Sequence, residues 1–415
     1  MDNCTKIIKR VTFITPAHIS CNPRLFKEAN TLHAAGFQVR VVAGDYSPEA
    51  HILDNSISPE PPWSWVKVPL GSKPIYLATR FLQKLAQKLA AHKYILNLSI
   101  ATFSNSPISY QLAKAAAAEP ADLYIAHCLA ALPAAVMAAE KHHGKVGFDA
   151  EDFHIGELPD TPENQAEIAV RDVIERSLLP RCDYLTAASP LIAEAYRQRY
   201  GVEMTTILNV FPLSEAPPSL TQKREINSSP SLYWFSQTIG SGRGIESIVL
   251  AMGKMQTPVN LYLRGYPARG YLDGLMDLAQ SVGVGEHLHI LPSAPPGDMA
   301  KLAANYDLGL SLEITEPQNR AICLTNKIFT YLLAGIPVLL SHTPAQSQLA
   351  EQLGEAAILV DIHDTLSLAT ILDDWFTDAV RMENARAKAR QLGQEVYNWD
   401  VEQCKFLGMI RNTFM

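Results

Sequence analysis

The chain has 415 residues, 47% of them hydrophobic and 19% charged, with a formal charge of −7. That length accommodates two domains at about 100–200 residues each, and that composition excludes a disordered chain. The acidic balance argues against general nucleic-acid binding, which relies on a basic surface.

At the N-terminus "KIIKRVTFITPA" sets basic residues before an apolar run, as a signal peptide does. The run is only "VTFI", and polar "HISCNPR" follows at once, so the segment reads as a first core strand. No apolar stretch reaches the roughly 18–20 residues that span a bilayer. The cysteines (Cys4, Cys21, Cys128, Cys182, Cys323 and Cys404) are scattered without a C-x-x-C pair. That excludes a zinc ribbon or redox couple and points to reduced thiols in a cytosol.

"RVTFIT", "NPRLFKEANTLHAAG" and "QVRVVAG" then read as strand, helix and strand. Leu25, Ala29 and Leu32 recur at helical spacing and Gly36 stops the helix. A β-α-β unit of this kind implies parallel strands with a right-handed crossover. From Pro61 to Ala118 there is no Asp or Glu, but there are six lysines and one arginine. Here "TRFLQKLAQKLAAHKYIL" sets Arg80, Lys84 and Lys88 on one helix face and Phe81, Leu82, Leu85 and Leu89 on another. Two readings stand: a domain helix with a solvated basic face, or a basic amphipathic helix lying on an anionic membrane through 73–95.

"DLYIAH" and "KVGFDAED" repeat the strand signal around the helix "LPAAVMAAEKHHG". "CDYLTAAS" and "TTILNVF" do so around "PLIAEAYRQRYG". The pattern breaks in the proline- and serine-rich "PLSEAPPSLTQKREINSSP", read as a linker. After it "SLYWFSQ", "VNLYLRG", "HLHILP", "LGLSLE" and "IPVLLS" are strands alternating with helices, and "YNWDVEQCKFLGMIRNTFM" is a last helix. The expected organisation is an N-terminal domain over 1–215, a linker over 216–230, a second domain over 231–395 and a C-terminal helix over 396–415 that packs back towards the first domain. The expected fold class is α/β, with two doubly wound Rossmann-like domains facing a central cleft. In such sheets ligands bind beyond the carboxyl ends of the strands.

Three segments carry chemistry. "SQTIGSGRGIES" joins a strand to a helix; its glycines turn the backbone tightly and Arg243 offers a fork of donors to a phosphate. Its G-x-G-x-G spacing is not the G-x-G-x-x-G of a dinucleotide site. "LYLRGYP" ends a strand on Arg264, either a surface arginine or a second contributor to the same rim. "NKIFTYLLAGIPVLLS" begins a helix with Asn326 as the expected cap and Lys327 at the first helical position. A lysine there opposes the helix dipole, unless it and the helix end jointly hold an anion. No Asp-x-Asp follows a strand as a metal-holding pair would; "DIHD" and "DDWFTD" read as solvated loops or helix faces. No His/Cys cluster has ligand spacing.

The order of these motifs resembles the GT-B glycosyltransferases of family 4, the "group 1" transferases. The family's K-[LI]-F-E-Y-[LM]-x-[AS]-G-[LI]-P-V is matched by "NKIFTYLLAGIPVLLS" at all but one position. "TPAHISCNPRLFKEANTLHAAGFQVRVV", "DLYIAHCLAALPAA", "KVGFDAED" and "GRGIESIVLAM" resemble further segments. The resemblance implies a donor-binding second domain, with Gly242, Arg243, Lys327, Asn319 and Gln237 around the diphosphate. Gln237 stands near the place of a further basic residue, for which Arg264 is the candidate substitute. It also implies an acceptor and sugar side at His18, Arg24, Glu151 and His154. His127 is the candidate catalytic residue facing the transferred sugar; a structural strand-end histidine is the rival reading. Thr330 stands where the family has a ribose-binding glutamate, and Ile322, eight positions before it, is not acidic either. Glu313 and Glu316 are the candidates to compensate.

The implied activity is transfer of a hexose from a nucleotide diphosphate sugar to a glycan or lipid-linked acceptor, with retention and without a metal or other cofactor. The implied setting is the cytoplasm, at the inner face of the membrane where the acceptor is lipid-linked. The rivals are a nucleotide-sugar epimerase on the same fold and a degenerate scaffold protein.

Overall fold

The computed structural model describes residues 9–55, 57, 60–71, 73–91, 94–218 and 229–415. The chain forms two compact units. One comprises Met1–Ile207, Pro317–Asn319 and Gln403–Met415; the other comprises Leu208–Glu316 and Arg320–Glu402. Residues 219–228 of the expected linker, Cys4 and positions 92–93 of the basic stretch lie outside the described residues.

The first unit is built on seven strands: β1 (Arg10–Thr15), β2 (Gln38–Asp45), β3 (Ser64–Pro69), β4 (Leu123–His127), β5 (Lys145–Ala150), β6 (Tyr184–Ala187) and β7 (Thr205–Thr206). They lie in the order β3-β2-β1-β4-β5-β6-β7, paired in parallel throughout. Their near-continuous apolar composition fits burial on both faces. The helix Pro23–Ala34 starts where the Asn22 side chain accepts from the Leu25 backbone N–H at 3.0 Å, with Pro23 preset for the first turn. It buries Leu25, Ala29 and Leu32. "TTILNVF" forms only the two-residue β7: the next carbonyl, that of Ile207, accepts from Arg24 Nη1 at 2.7 Å instead of extending a ladder.

The second unit has six parallel strands: β8 (Ser231–Ile239), β9 (Asn260–Pro267), β10 (Leu288–Leu291), β11 (Leu308–Ser311), β12 (Val338–Ser341) and β13 (Ala357–Val360). Their order is β10-β9-β8-β11-β12-β13. On one face Leu232, Trp234, Leu261 and Leu263 pack with Ile248, Val249, Leu275 and Ala279. The helix Asn326–Ala334 ends on Gly335 at φ +73°, a conformation that favours glycine. Its N-cap position is Thr325, so Asn326 is the first helical residue rather than the cap, and Lys327 the second.

In both sheets the strand order reverses beside the first strand, between β1 and β4 and between β8 and β11. Such switch points open a crevice at the carboxyl ends of the strands. No described helix is long and apolar enough to cross a membrane.

Candidate functional site

In the second unit three cations surround one carboxylate at the β8/β11 switch point. Glu313 follows β11 and is 3% exposed. Its carboxylate lies 3.5 Å from Lys327 Nζ, 3.7 Å from Arg320 Nη1 and 3.8 Å from Arg243 Nη1. Arg243 is delivered by the turn after β8. Gly244 of that turn has φ +67°, and a Cβ there would stand 2.6 Å from Leu312 Cβ, so the turn packs against the end of β11. Lys327 is buried, 5.8 Å over the Trp234 ring. Burial pushes its pKa down, Glu313 opposes this, and the positive charge of Arg243 adds to the fall.

Arg243 and Lys327 therefore converge, as the sequence led us to expect, with Gly242 in the same turn. Arg320 and the anchoring role of Glu313 were not foreseen. The signal available for Arg320 was only its place between β11 and the lysine-bearing helix. The other expected donor residues do not join this cluster. Arg264 donates through Nε to the Tyr233 hydroxyl and through Nη1 to the Pro292 carbonyl, both at 2.8 Å. It thus serves an aromatic layer in which Tyr233 stacks on Tyr306 at 4.2 Å. Gln237 is exposed beside the irregularity between Phe235 and Thr238. Thr330 is 1% exposed and its hydroxyl donates to the Asn326 carbonyl of its own helix at 3.1 Å. That bond uses the hydroxyl's one proton and turns the side chain to its own helix, at a buried position. Asn319 groups with the first unit; its amide accepts from the Phe153 N–H at 2.8 Å and donates to Asp152 at 2.7 Å.

In the first unit the carboxyl ends of β4 and β5 carry a closed, buried network. Arg24 Nη2 donates to Asp149 Oδ1 at 2.9 Å, and Nε donates to Oδ2. Thr186 donates to Asp149 at 2.7 Å. His127 is fully buried, with Nδ1 3.1 Å from Glu151 Oε1 and Nε2 3.2 Å from Glu28 Oε2. Burial works against its protonation, but Glu28, Glu151 and Asp149 outweigh it and raise its pKa to about 10. Burial pushes Glu151 up, yet His127, Arg24 and Asn22 prevail and bring it down to about 2. Glu28 is pushed up, by burial and then by Asp149. His127 is thus an imidazolium whose two N–H groups are both engaged, the arrangement of a structural strand-end histidine. Glu28, His127 and Asp149 have the proximity of a metal triad, but Arg24 already takes both Asp149 oxygens. Cys128, next in the chain, has φ +66°, a strained conformation for a non-glycine residue.

His18 is also buried. Its Nε2 accepts the backbone N–H groups of Tyr46 and Ser47 at 2.9 and 3.0 Å, and Nδ1 meets Asp54 at 2.9 Å. This geometry places the proton on Nδ1 and makes His18 a pin between segments. His154 differs: Nδ1 meets Glu157 at 2.7 Å, while its buried Nε2 has no hydrogen-bond partner among the described residues.

In the helix Lys73–Ala90 both the basic face and the apolar one are turned outward, and a third stripe is buried. Gln83, Ala86 and Ala90 face the protein, and Gln83 donates to the Ser104 carbonyl at 3.2 Å. Leu77, Phe81, Leu82, Leu85 and Leu89 are turned outward, with Phe81 70% exposed. Arg80, Lys84 and Lys88 are exposed beside them. The reading of a domain helix with only its basic face solvated is therefore incomplete.

Residues 22–210 match the family model of the glycosyl transferase 4-like domain. No curated protein matches the chain in sequence. Among solved structures, HepE of Anabaena in complex with UDP and glucose aligns at a TM-score of 0.73 with 15% identity, covering 97% of this chain and 100% of that one. Sucrose-phosphate synthase of Thermosynechococcus elongatus aligns at 0.72 with 15% identity, covering 98% and 99%. WaaG, a glycosyltransferase involved in lipopolysaccharide biosynthesis, aligns at 0.58 with 14% identity, covering 95% and 98%. At these identities the likeness is one of fold. The chain has the GT-B fold, and its resemblance to the group 1 glycosyltransferases holds.

Proposed function

We propose that this chain, with the fold of the GT-B glycosyltransferases, transfers a hexose from a nucleotide diphosphate sugar to a glycan or lipid-linked saccharide, with retention and without a metal. The observation that carries the reading is the convergence of Arg243, Arg320 and Lys327 at the β8/β11 switch point. Fixed cations aimed at a leaving diphosphate stabilise charge as it develops in the transition state and need no reorganisation to do so. Arg243 brings a planar fork and Lys327 a compact point charge, a combination suited to two linked phosphates. The UDP and glucose in the HepE structure make UDP and UDP-glucose the first ligands to test.

His127 acts here as a framework residue that holds the ends of β4 and β5 beside the helix Pro23–Ala34. The outward apolar stripe and flanking cations of Lys73–Ala90 support peripheral contact with an anionic bilayer, which suits a lipid-linked acceptor at the cytoplasmic face.

Calorimetry with UDP, GDP and their sugars tests the donor assignment. Binding by the native chain is expected, with Arg243→Ala and Lys327→Ala each weakening it more than tenfold while the protein stays folded. No heat with any nucleotide, or unchanged titrations in both variants, refutes it. NMR of the donor sugar incubated without acceptor separates transfer from epimerisation.

A further inference from the structure

The charges at the β8/β11 switch point do not balance. Three cations, Arg243, Arg320 and Lys327, face the single carboxylate of Glu313, which leaves two positive charges in excess. The contacts of 3.5, 3.7 and 3.8 Å are all longer than the roughly 2.7–2.9 Å of a closed charge-assisted hydrogen bond. The carboxylate lies among the cations without closing on any of them. Uncompensated charge at a partly buried site is unfavourable unless a counter-charge arrives, most of all for the buried Lys327. A diphosphate diester, with one negative charge on each phosphate, brings two negative charges where Glu313 brings one.

Arg320 has a second contact. Its Nη1 donates to the Gly242 carbonyl at 2.5 Å, so the same guanidinium braces the turn that presents Arg243. Its side chain is 27% exposed, against 32% for Arg243 and 6% for Lys327. A ligand arriving from solvent meets both arginines.

We propose that Glu313 is a built-in counter-ion that occupies the phosphate seat, and that Arg320 is a third diphosphate ligand. The proposal rests on the donor reading above. Binding is then an exchange: the diphosphate takes over the three cations and the Glu313 carboxylate gives way. The internal competitor sets the affinity, so removing it strengthens anion binding even though it removes an ion-pair partner. A purely architectural Glu313 predicts the reverse, because losing it would scatter the cations.

Inorganic pyrophosphate is the probe, because it is blind to the nucleobase and sugar. Calorimetric titration into Glu313→Gln is expected to show at least tenfold tighter binding than the native chain. Glu316→Gln, which removes an exposed acid from the same loop and changes the net charge equally, is expected to change affinity less than twofold. Arg320→Gln is expected to weaken binding at least tenfold, and Arg320→Lys to fall between it and the native chain. Circular dichroism checks folding. Should Glu313→Gln fail to fold, Glu313→Asp retains the charge one methylene further back, and it is expected to tighten binding by a smaller factor. Unchanged or weaker binding in the Glu313 variant, or equal gains in Glu313→Gln and Glu316→Gln, overturns the counter-ion role. Unchanged binding in Arg320→Gln overturns the third-ligand role. Pyrophosphate binding that follows these expectations while no nucleotide binds would defeat the donor reading alone. Nucleotide binding indifferent to Glu313 would defeat the exchange alone.

Discussion

Replacing Arg24 by methionine separates a structural from a catalytic role for the buried network of the first unit. The guanidinium donates twice to Asp149 and once to the Ile207 carbonyl, and lies 3.6 Å from Glu28. Without it, the carboxylates of Glu28, Asp149 and Glu151 face the single positive charge of His127. Removing one partner of a buried ion pair costs about 3–5 kcal/mol, because the other charge stays desolvated. The orphaned Ile207 carbonyl adds a penalty that overlaps this one, so about 3–5 kcal/mol is the expected total. Urea unfolding measures it, read from the transition that carries Trp63, a tryptophan packed 5.5 Å from the Phe26 ring and bonded to Asn30. The double variant Arg24→Met/Asp149→Leu is expected to recover much of the loss, since apolar replacement of a whole buried pair is often neutral. A loss below about 1 kcal/mol, or a double variant no more stable than the single one, would refute the structural assignment.

The network also predicts a pH dependence. His127 is raised from 6.5 to about 10, so its contribution is fully present below pH 6.5 and is lost as pH rises towards 10; Glu151, lowered from 4.5 to about 2, contributes above pH 4.5 and loses its effect as pH falls towards 2. His127→Gln should flatten the alkaline limb of a stability–pH curve, and an unchanged limb would count against the assignment. Thr330→Glu, in place of the family's glutamate, forces a carboxylate into a site that is 1% exposed. It is expected to lower the melting temperature markedly, whereas Thr330→Val should leave nucleotide affinity within twofold; a large affinity loss in Thr330→Val would restore the ribose contact. Phe81→Ser/Leu85→Ser alters two outward side chains, so stability should move by no more than about 0.5 kcal/mol while sedimentation with phosphatidylglycerol vesicles is lost. Equal sedimentation of native and variant protein would exclude the stripe as the contact.

The alternation of strand and helix was legible because burial on both faces gives parallel strands continuous apolar runs. Arg243 and Lys327 were legible because each stands in a local motif whose geometry is set by neighbouring residues. Arg320 was not, since the five-residue helix Gln318–Ile322 has no periodicity to read. Arg264 falls outside the cluster for a reason of strand parity. It is two residues from Tyr262 and pairs with Phe235, which puts it on the aromatic face of the sheet. In Lys73–Ala90 a second stripe, Thr79, Gln83, Ala86 and Ala90, follows helical spacing too. Amphipathicity alone could not tell which stripe the fold would bury, and the smaller residues won because they allow close approach to Leu98–Asn105.

The two switch points carry the same kinds of side chain, and what distinguishes them is whether their charges are settled. At β1/β4 each cation is held within hydrogen-bond distance of a carboxylate, His127 uses both ring nitrogens, and the raised Glu28 brings three acids closer to balance with two cations. Apart from the part-exposed Glu151, such a network has little left to offer a ligand and gains most by being undisturbed. At β8/β11 three cations share one carboxylate at loose distances, and Lys327 is held in a form that a second negative charge would relieve. A strand-end histidine or arginine is therefore weak evidence for chemistry until its partners are counted. By that count the second unit has the unsettled positive charge to receive an anion, and in the first unit His154, whose Nε2 has no partner among the described residues, has more left to offer a ligand than His127 has.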